Sequence, residues 1–445
     1  MIDDTKSKIG KFRWIILSFM VILFGVNQVD KSLLGWASEP IMKEFNLNNA
    51  EWGIVSGSFF WLFSLSALIG GFLIDRIRPS RIISTLSGAW GGLQLSFLIG
   101  GGFSFLLFNR MLLGLFEGPA WITMMKMVKN WLPKQELGRG LGIVILGGGI
   151  LPAVLSSFLI KMIDHFSWRT PFIMMGVLGI ILTIIWMKFG ASSPEESHYV
   201  KMSESNWIKN NQEVYVDEVT PTVPWRSILL SPAFFAVVLA CIVHYYESVL
   251  FWTWSTKFVT DTFHATSTEL SLVIVLGNIG GAFGAVISGY LADIILIKTK
   301  NSWYARGLTT FSGTLLSGIC IMFVTRSTTV LLTSLCFGLM LFFNYFALNG
   351  ATTILNESIP KQQTGRILGI NFMIYSSMGF IAPIISGYVV ESTNSYRMAF
   401  DIAAYLAFFS SIVIFIYLKP SKFNFMMKNN SVSKTSENIK AITKS

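Results

Sequence analysis

Apolar stretches of roughly 20 residues recur along the whole chain, separated by short polar breaks. An α-helix rises about 1.5 Å per residue and a bilayer core is about 30 Å thick, so each stretch is one crossing long. Twelve such runs stand at 14–36, 51–73, 82–101, 103–127, 139–163, 170–190, 231–258, 269–293, 305–324, 328–354, 366–390 and 398–419. Inside lipid a spanning chain must satisfy its backbone groups internally, which helices do. The pattern therefore predicts an all-α polytopic membrane protein with twelve transmembrane helices. The only long break, 191–230, is polar and carries Pro194, Pro221 and Pro224. It divides the chain into a first six-helix bundle (1–190), a cytoplasmic linker (191–230), a second six-helix bundle (231–419) and a cytoplasmic tail (420–445). Trp207 and Trp225 are expected to hold a short amphipathic piece of the linker at the membrane surface.

The halves repeat one design. Pro133-Lys134-Gln135, Gly138-Arg139 and Leu141-Gly142 return 227 residues later as Pro360-Lys361-Gln362, Gly365-Arg366 and Leu368-Gly369. Ser167-Trp168-Arg169 returns as Ser395-Tyr396-Arg397, and Gly71-Phe72-Leu73-Ile74-Asp75 as Gly289-Tyr290-Leu291-Ala292-Asp293. An even number of spans separates the copies, so both halves cross in the same direction. Parallel repeats of this kind build transporters whose halves rock around a midplane site.

Composition agrees: 52% of residues are hydrophobic and 13% charged, against about 25% charged in soluble domains. The net charge of +10 raises nucleic acid as a partner, but its placement argues for topology. Of 34 Lys and Arg, 26 fall in the two tails, the linker and the loops on their side, and six in the opposite loops. By the positive-inside rule both termini are cytoplasmic, and a multi-pass protein of the cell membrane is expected, with no role for nucleic acid. The first run lacks a cleavage site and reads as a signal anchor. Cys241, Cys320 and Cys336 are scattered within spans and make neither a disulfide framework nor a metal site. No nucleophile–base set or cofactor motif stands out, so no enzyme is expected.

Four charges interrupt apolar runs: Asp30 and Lys31 in span 1, Arg110 and Glu117 in span 4. Charge at membrane depth costs several kcal/mol, so it marks function by default. Asp30 and Arg110 each lie five residues, about 7.5 Å, from the middle of their span toward the outside, which makes an Asp30–Arg110 pair feasible in depth. Glu117 lies two turns below Arg110 on about the same face, and Pro119 is expected to kink the helix beyond it. Fully ionised, the cluster sums to zero. Protonation of Glu117 leaves +1, which an anion's carboxylate neutralises against Lys31. A neutral site is the state most easily occluded, because desolvating net charge is costly. Asn27, Tyr246, Asn371, Tyr375 and Ser376 are further candidates for binding solute, and Phe63, Trp61, Trp121, Trp252 and Trp254 give the cavity an aromatic character. The rival reading makes the charges a purely structural network.

The loop Gly71-Phe-Leu-Ile-Asp75-Arg76-Ile-Arg78-Pro-Ser-Arg81 resembles the inner-loop signature of the major facilitator superfamily, with Arg78 where the family has Gly. More narrowly, Asn27-Gln28-Val29-Asp30-Lys31 and Arg110-Met-Leu-Leu-Gly114-Leu-Phe-Glu117-Gly118-Pro119 resemble the anion:cation symporters, carriers of sugar acids and related organic anions. Lys31 stands for the family's Arg, Phe63 and Ala67 for its Tyr and Gln, Gly148 for a Gln and Thr352 for a Trp. The resemblance implies a secondary active transporter working by alternating access. It implies proton-coupled uptake of a small organic anion such as a sugar acid, with Glu117, Asp30 and Arg110 coupling the proton. It also implies a cytoplasmic gate at Gly71, Asp75, Arg76 and Arg81, with Asp293 as the second copy. The proton is the coupling ion, no cofactor is expected, and the partners are the anion and the bilayer, the chain acting as a monomer. Loss of the sugar-hydroxyl partners leaves open an aromatic or aliphatic monocarboxylate, and drug efflux driven by protons is the further alternative.

Overall fold

The computed structural model describes residues 10–74, 76–212, 224–359 and 361–418. Among these it is helical throughout, with no strand. Nine helical segments are long and apolar enough to cross a membrane. They supply span 1 (Phe12–Trp36), span 5 (Lys134–His165), span 6 (Arg169–Phe189), span 7 (Pro232–Phe263), span 8 (Ser267–Thr299), span 9 (Trp303–Val324), span 10 (Val330–Ser358), span 11 (Arg366–Thr393) and span 12 (Tyr396–Tyr417). Three further helical segments complete the twelve: span 2 (Asn49–Leu73), span 3 (Pro79–Leu95) and span 4, split into Phe103–Glu117 and Ala120–Trp131. Pro119 lacks a backbone N–H, and its ring crowds the carbonyl four residues back, so the ladder breaks just after Glu117.

The repeat is visible in local chemistry. Span 2 starts with a capping box between Asn48 and Glu51, and span 8 with one between Thr266 and Glu269, both pairs 218 residues apart. Each box satisfies end groups that a helix cannot satisfy itself.

The two bundles meet where span 1 packs on span 7, span 2 on span 11 and span 5 on span 8. Away from the linker this seam is shut by backbone contact. A Cβ on Gly35 would strike the carbonyl of Trp252, one on Gly53 that of Pro383, and one on Gly387 that of Asn49. Polar bonds reinforce it: Asn49 donates its backbone N–H and Nδ2 to Glu391 at 2.9 and 3.0 Å, Ser267 donates to Asp164 at 2.9 Å, and Thr256 donates to the carbonyl of Gly35. Toward the linker face the seam loosens. Gly149 of span 5 packs on Asn278 and Ala282, whereas Gly142, two turns further on, would meet nothing within 4 Å. Ser376 of span 11 bonds Ser64 of span 2 at 2.7 Å, whereas Gly369, two turns further on, again meets nothing. Gly142 and Gly369 are equivalents in the repeat. A cavity of about 530 Å³ opens at the linker face, lined in part by Ile74, Met125, Lys126, Lys129, Asn130 and Lys134.

The linker contains a helix, Met202–Asn210, bolted to the first bundle. Its buried Glu204 accepts from the backbone of Phe12 and Arg13 and from the Arg13 guanidinium, all at 3.1 Å, while Arg13 also grips Glu136 at 2.8 Å. Trp207, expected at the membrane surface, lies over the Arg13 guanidinium at 4.9 Å. The tail 420–445 lies outside the described residues.

Candidate functional site

Helical periodicity sets the first half of the site. Asn27 and Lys31 are four residues apart and share one face of span 1, and Asp30 lies beside them. Arg110, Gly114 and Glu117 share a face of span 4, and Gly114 lets that face close on the backbone of Phe59 in span 2. Three of the four predicted charges are buried, Asp30, Arg110 and Glu117 being at most 3% exposed, and the Lys31 side chain is largely covered at 12%.

Lys31 and Glu117 form the one ion pair between these spans among the described residues, at 3.8 Å from Nζ to Oε2. Lys31 also donates to Gln28 at 2.9 Å and lies 5.1 Å over the ring of Phe63. Asn27 faces Glu117. Arg110 departs from expectation. It is level with Asp30, but its guanidinium reaches the backbone carbonyls of Asp30 and Lys31 at 3.4 and 3.5 Å, with the ring of Phe59 at 5.2 Å. The Asp30 carboxylate turns instead toward Gln94 of span 3. Depth along a helix is legible in sequence, but the direction of a guanidinium fork is set by which acceptors surround it.

Buried polar atoms without a hydrogen-bond partner concentrate here: Asn27 Nδ2, Asp30 Oδ1, Arg110 Nε and both oxygens of Glu117. Buried polar groups are normally satisfied, so such a cluster is poised to accept something else. Next to it a cleft of only about 10 Å³ in this form, lined by Lys31, Ser56, Phe60, Arg110, Trp252 and Thr253, is all but closed. It holds two cationic side chains and two aromatic rings.

The second bundle presents mainly rings. Tyr245 meets Phe60 of the first bundle at 5.7 Å, Trp252 at 6.3 Å and Tyr375 at 5.5 Å, and it feels the charge of Glu117. Tyr246, the sequence candidate, points the other way: it is buried with its hydroxyl toward Ser386. Neighbouring residues on a helix point about 100° apart, and which of two adjacent tyrosines faces the seam depends on a phase that the sequence does not display. Asn371 is buried and directs Nδ2 to the sulfur of Cys241 at 3.5 Å, while its Oδ1 has no partner. Tyr375 stacks in the aromatic layer and Ser376 carries the bond to Ser64. Of the expected aromatic lining, Phe63 and Trp252 stand at the cluster, Trp254 packs on Tyr396, Trp121 on Phe24, and Trp61 is 39% exposed.

The expected gate falls in two places. Asp75 lies outside the described residues, Gly71 ends up in the last turns of span 2, and Arg76 and Arg81 are exposed at the linker face. Asp293, the second copy, has Ile294 beside it in sequence where Asp75 has Arg76. It finds an Arg in space: Arg306 of span 9 binds it at 2.9 Å and also binds Glu357 of span 10 at 3.2 Å. This triad lies within the second bundle and does not bridge the seam. Sequence reasoning also missed Gln94, Tyr245 and the whole closure opposite the linker. A lone Gln in an apolar run was a usable signal for the first.

Two repeated six-helix bundles around a buried charge cluster at their seam define a membrane transporter, not an enzyme. The chain belongs to the Major Facilitator Superfamily, whose sequence model matches residues 20–383 and 248–433. It is 24% identical to the hexuronate transporter of Bacillus subtilis (strain 168), over 91% of this chain and 94% of that one. It is 26% identical to a probable sulfoacetate transporter of Cupriavidus necator (89% and 91% covered), and 25% to the D-galactonate transporter of Escherichia coli O6:H1 (86% and 91% covered). The fold matches a crystal structure of a bacterial homologue of the human lysosomal transporter Spinster, inward-facing and unoccupied. The TM-score is 0.67 at 13% identity, over 94% of this chain and 99% of that one.

Proposed function

We propose that this chain is a proton-coupled symporter that carries a small organic anion inward across the cell membrane by alternating access. The observation that carries the proposal is the buried Lys31–Glu117 pair at 3.8 Å beside Arg110, with both Glu117 oxygens free of hydrogen bonds. While Glu117 is ionised it compensates Lys31. When it takes a proton, Lys31 and Arg110 are left with excess positive charge next to the cleft, and an anion restores neutrality. Proton and anion are thus bound together or not at all, because the half-loaded site leaves net charge in a low-dielectric seam. Relatives named for hexuronate, galactonate and sulfoacetate support an anion as substrate. The positive-inside asymmetry puts the linker face in the cytoplasm, so the form described is the one closed to the outside.

The ring-rich lining of Phe60, Phe63, Tyr245 and Trp252 favours a compact or partly apolar carboxylate or sulfonate over a long polyhydroxylated one. Purified protein in liposomes, offered D-glucuronate, D-galactonate, sulfoacetate and benzoate, tests this. Uptake of one of them driven by an inward proton gradient is expected. Glu117→Gln should abolish that uptake while preserving exchange of internal for external anion. Gradient-driven uptake unchanged in Glu117→Gln would overturn the proposal.

A further inference from the structure

The second bundle holds a buried acid that the transport reaction does not use. Glu247 of span 7 is fully buried. Its Oε2 accepts from Asn344 Nδ2 of span 10 at 2.6 Å, and its Oε1 lies 3.2 Å from Ser317 Oγ of span 9. The groups facing it are His244 on its own span, with Tyr345 of span 10 edge-on to that ring, and Cys320 of span 9, with Cys336 of span 10 behind it. Among the described residues no cation pairs with it.

The repeat explains this arrangement. Spans 1 and 7 start 220 residues apart, at Phe12 and Pro232. The same offset relates Asn27 to Glu247 and Lys31 to Phe251. In span 4 the offset of 227 relates Glu117 to Asn344 and Arg110 to Phe337. The first bundle therefore faces an amide of its first span to an acid of its fourth, and the second bundle has the same pair with the partners exchanged. The two cations of the first bundle are replaced by Phe251 and Phe337, whose rings pack on each other at 5.4 Å.

We infer that Glu247 is a second proton-binding site, which holds a resident proton and is not emptied during transport. The hydrogen-bond inventory fits a neutral acid. Ser317 has one hydroxyl hydrogen and two oxygens within reach, Glu247 Oε1 at 3.2 Å and the carbonyl of Thr314 at 3.1 Å. A protonated Glu247 donates to Ser317 Oγ, Ser317 donates to Thr314, and Asn344 donates to Oε2, so both carboxyl oxygens of Glu247 and the Ser317 hydroxyl have partners. An ionised Glu247 would be an uncompensated charge inside the bilayer, where Phe251 stands in place of a lysine. Glu247 lies two residues from Tyr245, on the opposite side of span 7, so it faces away from the seam that opens and closes.

Infrared spectroscopy of purified protein in lipid nanodiscs at neutral pH tests this through the C=O stretch of protonated carboxyl groups, and this arm does not depend on the proposed transport reaction. A band that shifts on carboxyl-¹³C glutamate labelling, persists in Glu117→Gln and is lost in Glu247→Gln is expected. The labelled Glu117→Gln protein lacking any such band would overturn the inference without any substitution at Glu247. In liposomes, Glu247→Gln should keep the wild-type ratio of protons to anions. Loss of proton coupling in that variant would mean that the Glu247 proton is transported, and would overturn the resident assignment while leaving the anion reading intact.

Discussion

In the proposed mechanism Lys31 is the residue on which recognition and coupling meet. It is the side chain that reaches both Glu117 and the cleft, and its charge is shielded from water by Phe63. A hydrogen bond to a charged group contributes about 1.5–3 kcal/mol. Lys31→Ala should therefore raise KM for the transported anion by about 10- to 100-fold, while Lys31→Arg retains most of the affinity, as uptake against anion concentration would read. The four charges were legible in sequence because a charge in an apolar run is costly to bury and stands out against its neighbours. Glu247 escaped notice because it follows His244, Tyr245 and Tyr246, and an acid in a polar cluster stands out less than a charge in an apolar run, although Glu247 is fully buried. Outside the spans, Glu44 in the short helix Ser38–Phe45 shows how a local clamp responds to pH. The Arg169 guanidinium, bonded at 2.8 Å through both nitrogens, holds the Glu44 carboxyl below the usual carboxylate range, helped by Trp168 at 2.6 Å. A depressed acid stabilises the fold above its unfolded value of about 4.3 and loses that contribution as pH falls through its folded value. The melting-point difference between wild type and Glu44→Gln should be small, constant near neutrality, and shrink only as pH falls below the unfolded value of about 4.3 and through the depressed folded one.

At the level of elements, the spans and their order followed from the hydrophobic pattern, and the break after Glu117 followed from Pro119. The closure opposite the linker did not. It is made by glycines meeting carbonyl oxygens across the seam, and no side-chain pattern announces a contact between backbones. Gly387 is a direct lever, since any Cβ there meets the carbonyl of Asn49 and the backbone of Gly53. Overpacking costs about 1–3 kcal/mol, enough to change a conformational ratio by about five- to a hundredfold. Gly387→Val should destabilise this closed form and shift the population toward the form open on that face. In a background lacking Cys241, Cys320 and Cys336, a Thr253→Cys reporter should then react several-fold faster with a polar maleimide. An unchanged rate would show that the glycine contact does not hold the closure.

Across the whole molecule, duplication has produced two bundles with divided duties. Both carry an acid and an amide on matching spans, yet only the first keeps cations beside them. In the proposed mechanism coupling chemistry therefore belongs to the first bundle, and the second contributes the aromatic face of Tyr245, Trp252 and Tyr375 that meets it. The linker helix is bound to the first bundle through Arg13, Glu136 and Glu204, so in the proposed alternating-access cycle the two move as one body against the second bundle. The repeat was legible from short motifs, but its functional asymmetry emerged only when Phe251 and Phe337 were placed opposite Lys31 and Arg110. The measurement that tests the central claim most directly is proton movement driven by the anion alone. Liposomes carrying the protein and an internal pH dye are given an inward gradient of the transported anion at equal pH on both sides. Internal acidification in the wild type, absent in Glu117→Gln although that variant still exchanges the anion, is the predicted result. Anion entry with no change of internal pH in the wild type would contradict the account.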